Sequence, residues 1–123
     1  MKKILLFILS SLVTLDLHAA TNASPGQKWY GPYTITKVAR YWDGGGRATV
    51  HFAETPTDIP CDINKNQKKA TYWGDPNAHA FADSMFSVAA TANAQNKKVY
   101  FLLDKSCHPV YGLNLHGIEM VSN

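Results

Sequence analysis

The segment "AHAFADSMFSVAATANAQNKKVYFLLD", Ala78 to Asp104, decides how this sequence is read. Its first part is small and apolar, with Asp83 as its one charge, and it then passes Lys97 and Lys98 into an alternating run. Asp75 is placed to cap a helix and Pro76 to open its first turn. The helix is predicted to run to about Gln95, where the two lysines suit the negative end of its dipole. Phe81, Met85, Val88 and Ala92 fall on one stripe at helical spacing, flanked by Ala78 and Ala89, and are the expected core contact. Across from them stand His79, Asp83, Ser87, Ala90 and Ala94, with Phe86 on the flank. A water-facing helix commonly carries Lys and Glu there. Alanine is the best helix former, which explains such positions without any partner. The same positions also suit a second packing surface between assembled subunits, and Asp83, Phe86, Ser87, Ala90 and Ala94 are its candidates.

Strands are expected on both sides of this helix. Tyr33 to Trp42 is rich in Tyr, Ile, Thr and Val, and "DGGG" (Asp43 to Gly46) is a turn. Arg47 to Ala53 then alternates, with Ala48, Val50 and Phe52 on one side and Arg47, Thr49 and His51 on the other, which completes a hairpin. The loop "ETPTDIPCDINKN" follows, then a short third strand over Lys68 to Trp73. After the helix come a fourth strand, Lys98 to Leu103, a turn at "DKSCHP", and a fifth strand, Tyr111 to Val121. A bulge at Gly117 would keep Leu113, Leu115, Ile118 and Met120 on one face. The chain is thus read as mainly β with one helix, in the order β-β-β-α-β-β. That is the order of a five-stranded OB-like barrel plugged by a helix between its third and fourth strands. Another small α+β fold with the same element string is the alternative.

The chain has 123 residues, one domain's worth. Residues 1–19 read as a secretory signal, with Lys2 and Lys3 before an apolar stretch and small residues at "LHAA". Residues 20–32 read as a mobile lead-in that Trp29 and Tyr30 could clip down, and 33–123 as the OB-like domain. Loss of Lys2, Lys3 and Asp16 with the leader lowers the net charge from +3 to +2. Such a balance, with no long basic run, argues against a nucleic-acid partner. No later stretch is long and apolar enough for membrane insertion. The expected location is secreted or periplasmic. There Cys61 and Cys107, the two cysteines, are expected to form a disulfide worth about 4 kcal/mol in the chain-entropy model. Free or metal-binding thiols are the competing reading.

No residue set announces an enzyme. His51, His79, His108 and His116 show no zinc-ligand spacing. Asp43, Glu54, Asp58, Asp62, Asp75, Asp83, Asp104 and Glu119 fall mostly in turns and caps. No catalytic residue, metal or cofactor is assigned. What remains is aromatic surface. Tyr41 and Trp42 meet the glycine turn opposite Arg47, Tyr72 and Trp73 close the third strand, and Tyr111 begins the fifth. These six are the ligand-binding candidates, because an aromatic face stacks on a sugar while a cation takes its hydroxyls or carboxylate. Core packing or interface sealing is the plainer role of large aromatics.

"YWG" at Tyr72 to Gly74, Phe81 at the helix, and the eighteen-residue step to Val99 in "KKVYFLL" carry a resemblance. They resemble the third strand, helix and fourth strand of the B subunits of one-A-five-B bacterial toxins, of the subtilase-cytotoxin and typhoid-toxin kind. The match spans roughly Ala70 to Leu103. It implies an exported OB fold, a homo-oligomeric ring, a cell-surface glycan ligand and an A-type toxin subunit as partner. The two cysteines are placed differently from those of that family, and none of its sugar-contacting residues is carried over. The alternative function is a periplasmic protein-binding module, such as an enzyme inhibitor or envelope-associated factor.

Overall fold

The computed structural model describes residues 23–42, 46–57, 59, 68–74 and 79–122. The expected leader, most of the glycine turn, Cys61 and the Asp75–Pro76 helix start lie outside the described residues. Among the described residues there are six strands and one helix: β1 (Lys28–Tyr33), β2 (Ile35–Tyr41), β3 (Arg47–Phe52), β4 (Lys69–Trp73), α1 (His79–Ala94), β5 (Val99–His108) and β6 (Gly112–Met120). They make a single sheet in the order β1-β5-β6-β4-β3-β2. All neighbours are antiparallel except β4 and β6, which run parallel.

The count of six corrects the expected five, and it does so at one residue. β1 and β2 stand at opposite ends of the sheet order, yet only Thr34 separates them in the chain. The sheet must therefore curl into a half-barrel to bring its ends together. Glu54 pins the junction: the Thr34 amide and hydroxyl each donate to its carboxylate at 2.7 Å. Burial alone would raise the Glu54 pKa, but the hydrogen bonds from Thr34 outweigh it and hold the carboxyl below its usual value. The strand at residues 28–33 also corrects the lead-in reading. Trp29 and Tyr30 pair in register with Leu102 and Phe101, so the clip is a ladder of backbone hydrogen bonds.

The expected hairpin is present, from Ile35 opposite Phe52 to Tyr41 opposite Arg47. Two further differences concern β5 and α1. The expected turn at "DKSCHP" is instead the far half of β5, which runs on to His108 through a register shift between Leu103 and Cys107. Asp104 explains it. Its carboxylate accepts from the Ser106 amide at 2.7 Å and from the Ser106 hydroxyl, so turn chemistry is absorbed as a bulge inside a strand. The bulge expected at Gly117 is present: Leu102 pairs with Gly117 and Leu103 with Leu115.

The core sits inside the curl. Tyr33, Phe52 and Phe101 form its aromatic centre, with ring centroids 4.6 to 5.4 Å apart. Val50, Val99, Leu103, Leu113 and Leu115 fill the space around them. α1 lays Ala82, Ala89 and Ala92 onto the sheet, and Phe81 is 64% exposed. The helix is thus turned from the expected stripe, because Arg40 of β2 fixes its first turns. The Arg40 side chain is only 6% exposed, and its Nε donates to Asp83 at 2.7 Å while Nη2 meets His79 Nδ1 at 3.2 Å. With the helix held at that angle, its fully buried residues are all alanines.

Gly112, at the start of β6, has φ +83°, and a Cβ there would fall onto the Lys69 carbonyl. Backbone approach of that kind admits only glycine. Gly112→Ala is expected to destabilise the protein by more than about 2 kcal/mol, read as the shift in a urea unfolding midpoint. A near-neutral result would contradict the β4–β6 contact.

Candidate functional site

Three adjacent strands present one outer face. Across it, Tyr41 pairs with Arg47 and Arg47 with Trp73; next, Thr49 pairs with Thr71; last, Lys37 pairs with His51 and His51 with Lys69. The β5–β6 turn, Pro109 to Tyr111, folds over this face and supplies one wall. Between turn and sheet lies a groove of about 310 Å3, with Val110 and Tyr111 on the turn side and Lys37, Arg47, His51 and Lys69 among its sheet-side lining.

A chain of hydrogen bonds holds the turn in place. Thr71 Oγ1 donates to the Tyr111 carbonyl at 2.6 Å, and Thr49 and Thr71 hydroxyls are 2.8 Å apart. With the Thr71 proton used on Tyr111, Thr49 is the donor to Thr71. Both threonines are buried, Thr49 at 4% exposure, so the groove floor is covered although it belongs to the outer side of the sheet. The turn also holds itself. His108 Nδ1 accepts from the amides of Val110 at 3.0 Å and Tyr111 at 3.2 Å, and its ring stacks on Tyr111 with centroids 4.5 Å apart. Trp73 closes this aromatic cluster, 5.8 Å from Tyr111 and 6.0 Å from His108. The Arg47 guanidinium lies over the other ring contact of the site, 4.5 Å from the Tyr111 centroid.

Of the six sequence candidates, Tyr41, Arg47 and Tyr111 line the groove, and Trp73 stands beside Tyr111. Tyr72 does not join them. It pairs with buried Ala48 and packs against the core from the opposite face. Trp42 is 68% exposed, and the Arg40 guanidinium lies over its ring, 4.9 Å from the centroid. Sequence reasoning missed Lys37, Lys69, Thr71 and His108. The outward side of Arg47, Thr49 and His51 was readable from alternation, but cross-strand register was needed to add their neighbours.

Among the helix candidates, Asp83 is engaged with Arg40, Phe86 and Ala90 are half-buried, and Ser87 and Ala94 are exposed. A second hollow, about 360 Å3 and mostly apolar, lies between Met85 and Val88 of α1 and Trp29, Leu102 and Ile118 of the sheet. On β5 and β6, Asp104 also accepts from Asn114 Nδ2 and meets His116 Nε2, each at 2.7 Å. Burial would raise its pKa, but the bonds from Ser106 and His116 bring it below the ordinary value. Ser106 bonds the carboxylate here, not the imidazole, so these residues make no serine–histidine relay. Among the described residues no three His, Cys, Asp or Glu side chains are grouped to hold a metal, and no helix is long and apolar enough to cross a membrane.

No protein-family model matches the sequence, and no curated protein matches it either. The groove is therefore read from its own chemistry: three bases and an arginine, two ordered hydroxyls, and tyrosine faces at one end.

His51 is held below its ordinary pKa by burial first, then by Lys37 and Lys69. The unfolded chain then binds a proton that the folded chain resists. Stability from this group is fully present above about pH 6.5 and is lost as pH falls through the lowered folded value. Unfolding midpoints are expected to drop between pH 7 and 5, and His51→Gln to flatten that part of the profile. An unchanged slope in the variant would contradict the assignment.

Proposed function

We propose that this chain is a small exported binding protein that recognises glycans through the outer-face groove, in the manner of a toxin B subunit. The observation that carries the reading is the groove itself, where tyrosine faces and an arginine meet basic and hydroxyl groups under an ordered turn. Small-ligand sites have this form: a concave wall with a few convergent polar groups. If β1 and β2 are counted as one strand bent at Thr34, the chain follows the OB order with its helix between the third and fourth strands. OB barrels bind oligosaccharides on the face of strands two and three and with the loop between strands four and five. In that count these are β3, β4 and the Pro109–Tyr111 turn.

The same reading includes export after the leader, a Cys61–Cys107 disulfide, a homo-oligomer and an A-type partner subunit. The disulfide is argued from the two cysteines of the chain and from the oxidising compartment that export would bring. The oligomer rests on the helix flank of Asp83, Phe86, Ser87, Ala90 and Ala94, where Ser87 and Ala94 are exposed and Asp83 is the single charge, engaged with Arg40. A second reading, a periplasmic protein-binding module, is favoured by β1 and β2, each of which, among the described residues, has a strand neighbour on one side only in the sheet order. Such an edge accepts an added strand.

A glycan array with the exported protein tests the first reading. Tyr111→Ala and Arg47→Gln are each expected to weaken binding about tenfold or more, and Trp42→Ala to leave it nearly unchanged. No signal above background would retire the glycan reading. Light scattering that returns a strict monomer would retire the oligomer.

A further inference from the structure

The end of the groove away from Tyr111 is unusual for a sheet. Lys37, His51 and Lys69 stand directly opposite one another on β2, β3 and β4. Strands lie about 4.8 Å apart, so the row spans roughly 10 Å. Like charges in directly opposed positions destabilise a sheet. Among the described residues lining the groove no carboxylate offsets them. The field they share is visible in His51, whose protonation both lysines oppose. The remaining charged or titratable neighbours in the lining are Arg47, Tyr41 and Tyr111.

We propose that the Lys37–His51–Lys69 row is a subsite for a tetrahedral oxyanion, a sulfate or phosphate monoester carried on the glycan. It rests on the glycan reading for the carrier, not for the anion. Three donors on three strands match three terminal oxygens of such an ester, each a charge-assisted hydrogen bond. A planar carboxylate offers two oxygens and leaves one cation unmet. A nucleic-acid backbone would need cations continued along its track. Here the row ends at Lys37 and Lys69, and the turn carrying Val110 walls the groove. The bound anion lets His51 take up a proton, so affinity rises as pH falls toward 6. A sulfate ester keeps its charge through that range. A phosphate ester loses one near pH 6, which offsets its gain and separates the two sources.

The test follows the His51 imidazole by NMR in the exported protein, titrated with glucose 6-sulfate, glucose 6-phosphate, glucuronate and glucose. One ester is expected to raise the His51 pKa and to bind about tenfold or more tighter than glucuronate or glucose. The double variant Lys37→Gln/Lys69→Gln should lose about that factor, and its free His51 should titrate at a higher pH than in the parent. Ester binding unaffected by the double variant would overturn the proposal. Equal binding of glucuronate would do so too, as would tighter binding of a short single-stranded oligonucleotide. Array glycans that bind equally well to parent and double variant would sink the subsite and leave the glycan reading standing. Ester binding with the predicted His51 shift but an empty array would keep the subsite and sink the glycan reading.

Discussion

The hydrogen bond from Thr71 to the Tyr111 carbonyl, 2.6 Å long, ties two parts of the chain forty residues apart and makes a sheet face into a groove. It depends on the one parallel pairing in the sheet, where Ala70 and Thr71 of β4 meet Leu113 and Asn114 of β6. Gly112 permits that approach because any side chain would collide with the Lys69 backbone. Once β6 is seated, the turn before it has no choice but to cross the outer face of β3 and β4. His108 then folds the turn on itself, and Tyr111 reaches the Arg47 guanidinium. Stability and site are one construction here. The contacts that seat β6 against β4 are those that build the wall of the groove.

A second constraint sets the other side of the molecule. Arg40 is almost wholly covered and must satisfy its charge, which it does against Asp83, His79 and the Trp42 ring. A buried arginine without such partners would be costly. That requirement fixes how α1 rolls on the sheet, and the roll exposes Phe81 while it buries a row of alanines. The two basic features of the β2–β3 hairpin therefore divide their work. Arg40 orients the helix, and Arg47 with Lys37 and His51 faces the groove. The electrostatic cost carried by the latter group sits where a ligand could remove it.

Much of the fold was legible in the sequence because it rests on local signals. Alternation in Arg47 to Phe52 placed β3 and its two faces, and Gly117 marked a bulge that the register bears out. The helix was legible as an element but not in its roll. Helical spacing ranks Phe81 above Ala82 as a core residue, and only a partner on another strand, Arg40, reverses the order. Asp104 misled for a related reason. An acid before Ser106 signals a turn, and nothing local says that Asn114 and His116 will meet the same carboxylate from β6. The junction at Thr34 was hidden too, since Glu54 reaches it from twenty residues away. The candidate site was half legible. Tyr41, Arg47 and Tyr111 stood out by type, whereas Lys37, Lys69 and Thr71 gain meaning only from register, and Tyr72 was lost to the core by the same alternation.

The claim on which the groove, the ligand reading and the anion subsite all stand is that the turn lies across the sheet, with Tyr111 beneath the Arg47 guanidinium. Proton NMR of the protein tests this most directly, through the Arg47 side-chain methylenes. The account expects them shifted upfield by the Tyr111 ring current, with nuclear Overhauser contacts to the ring protons, and returned to ordinary positions in Tyr111→Leu. Unshifted Arg47 methylenes and a Tyr111 ring that contacts only its neighbours on β5 and β6 would contradict it.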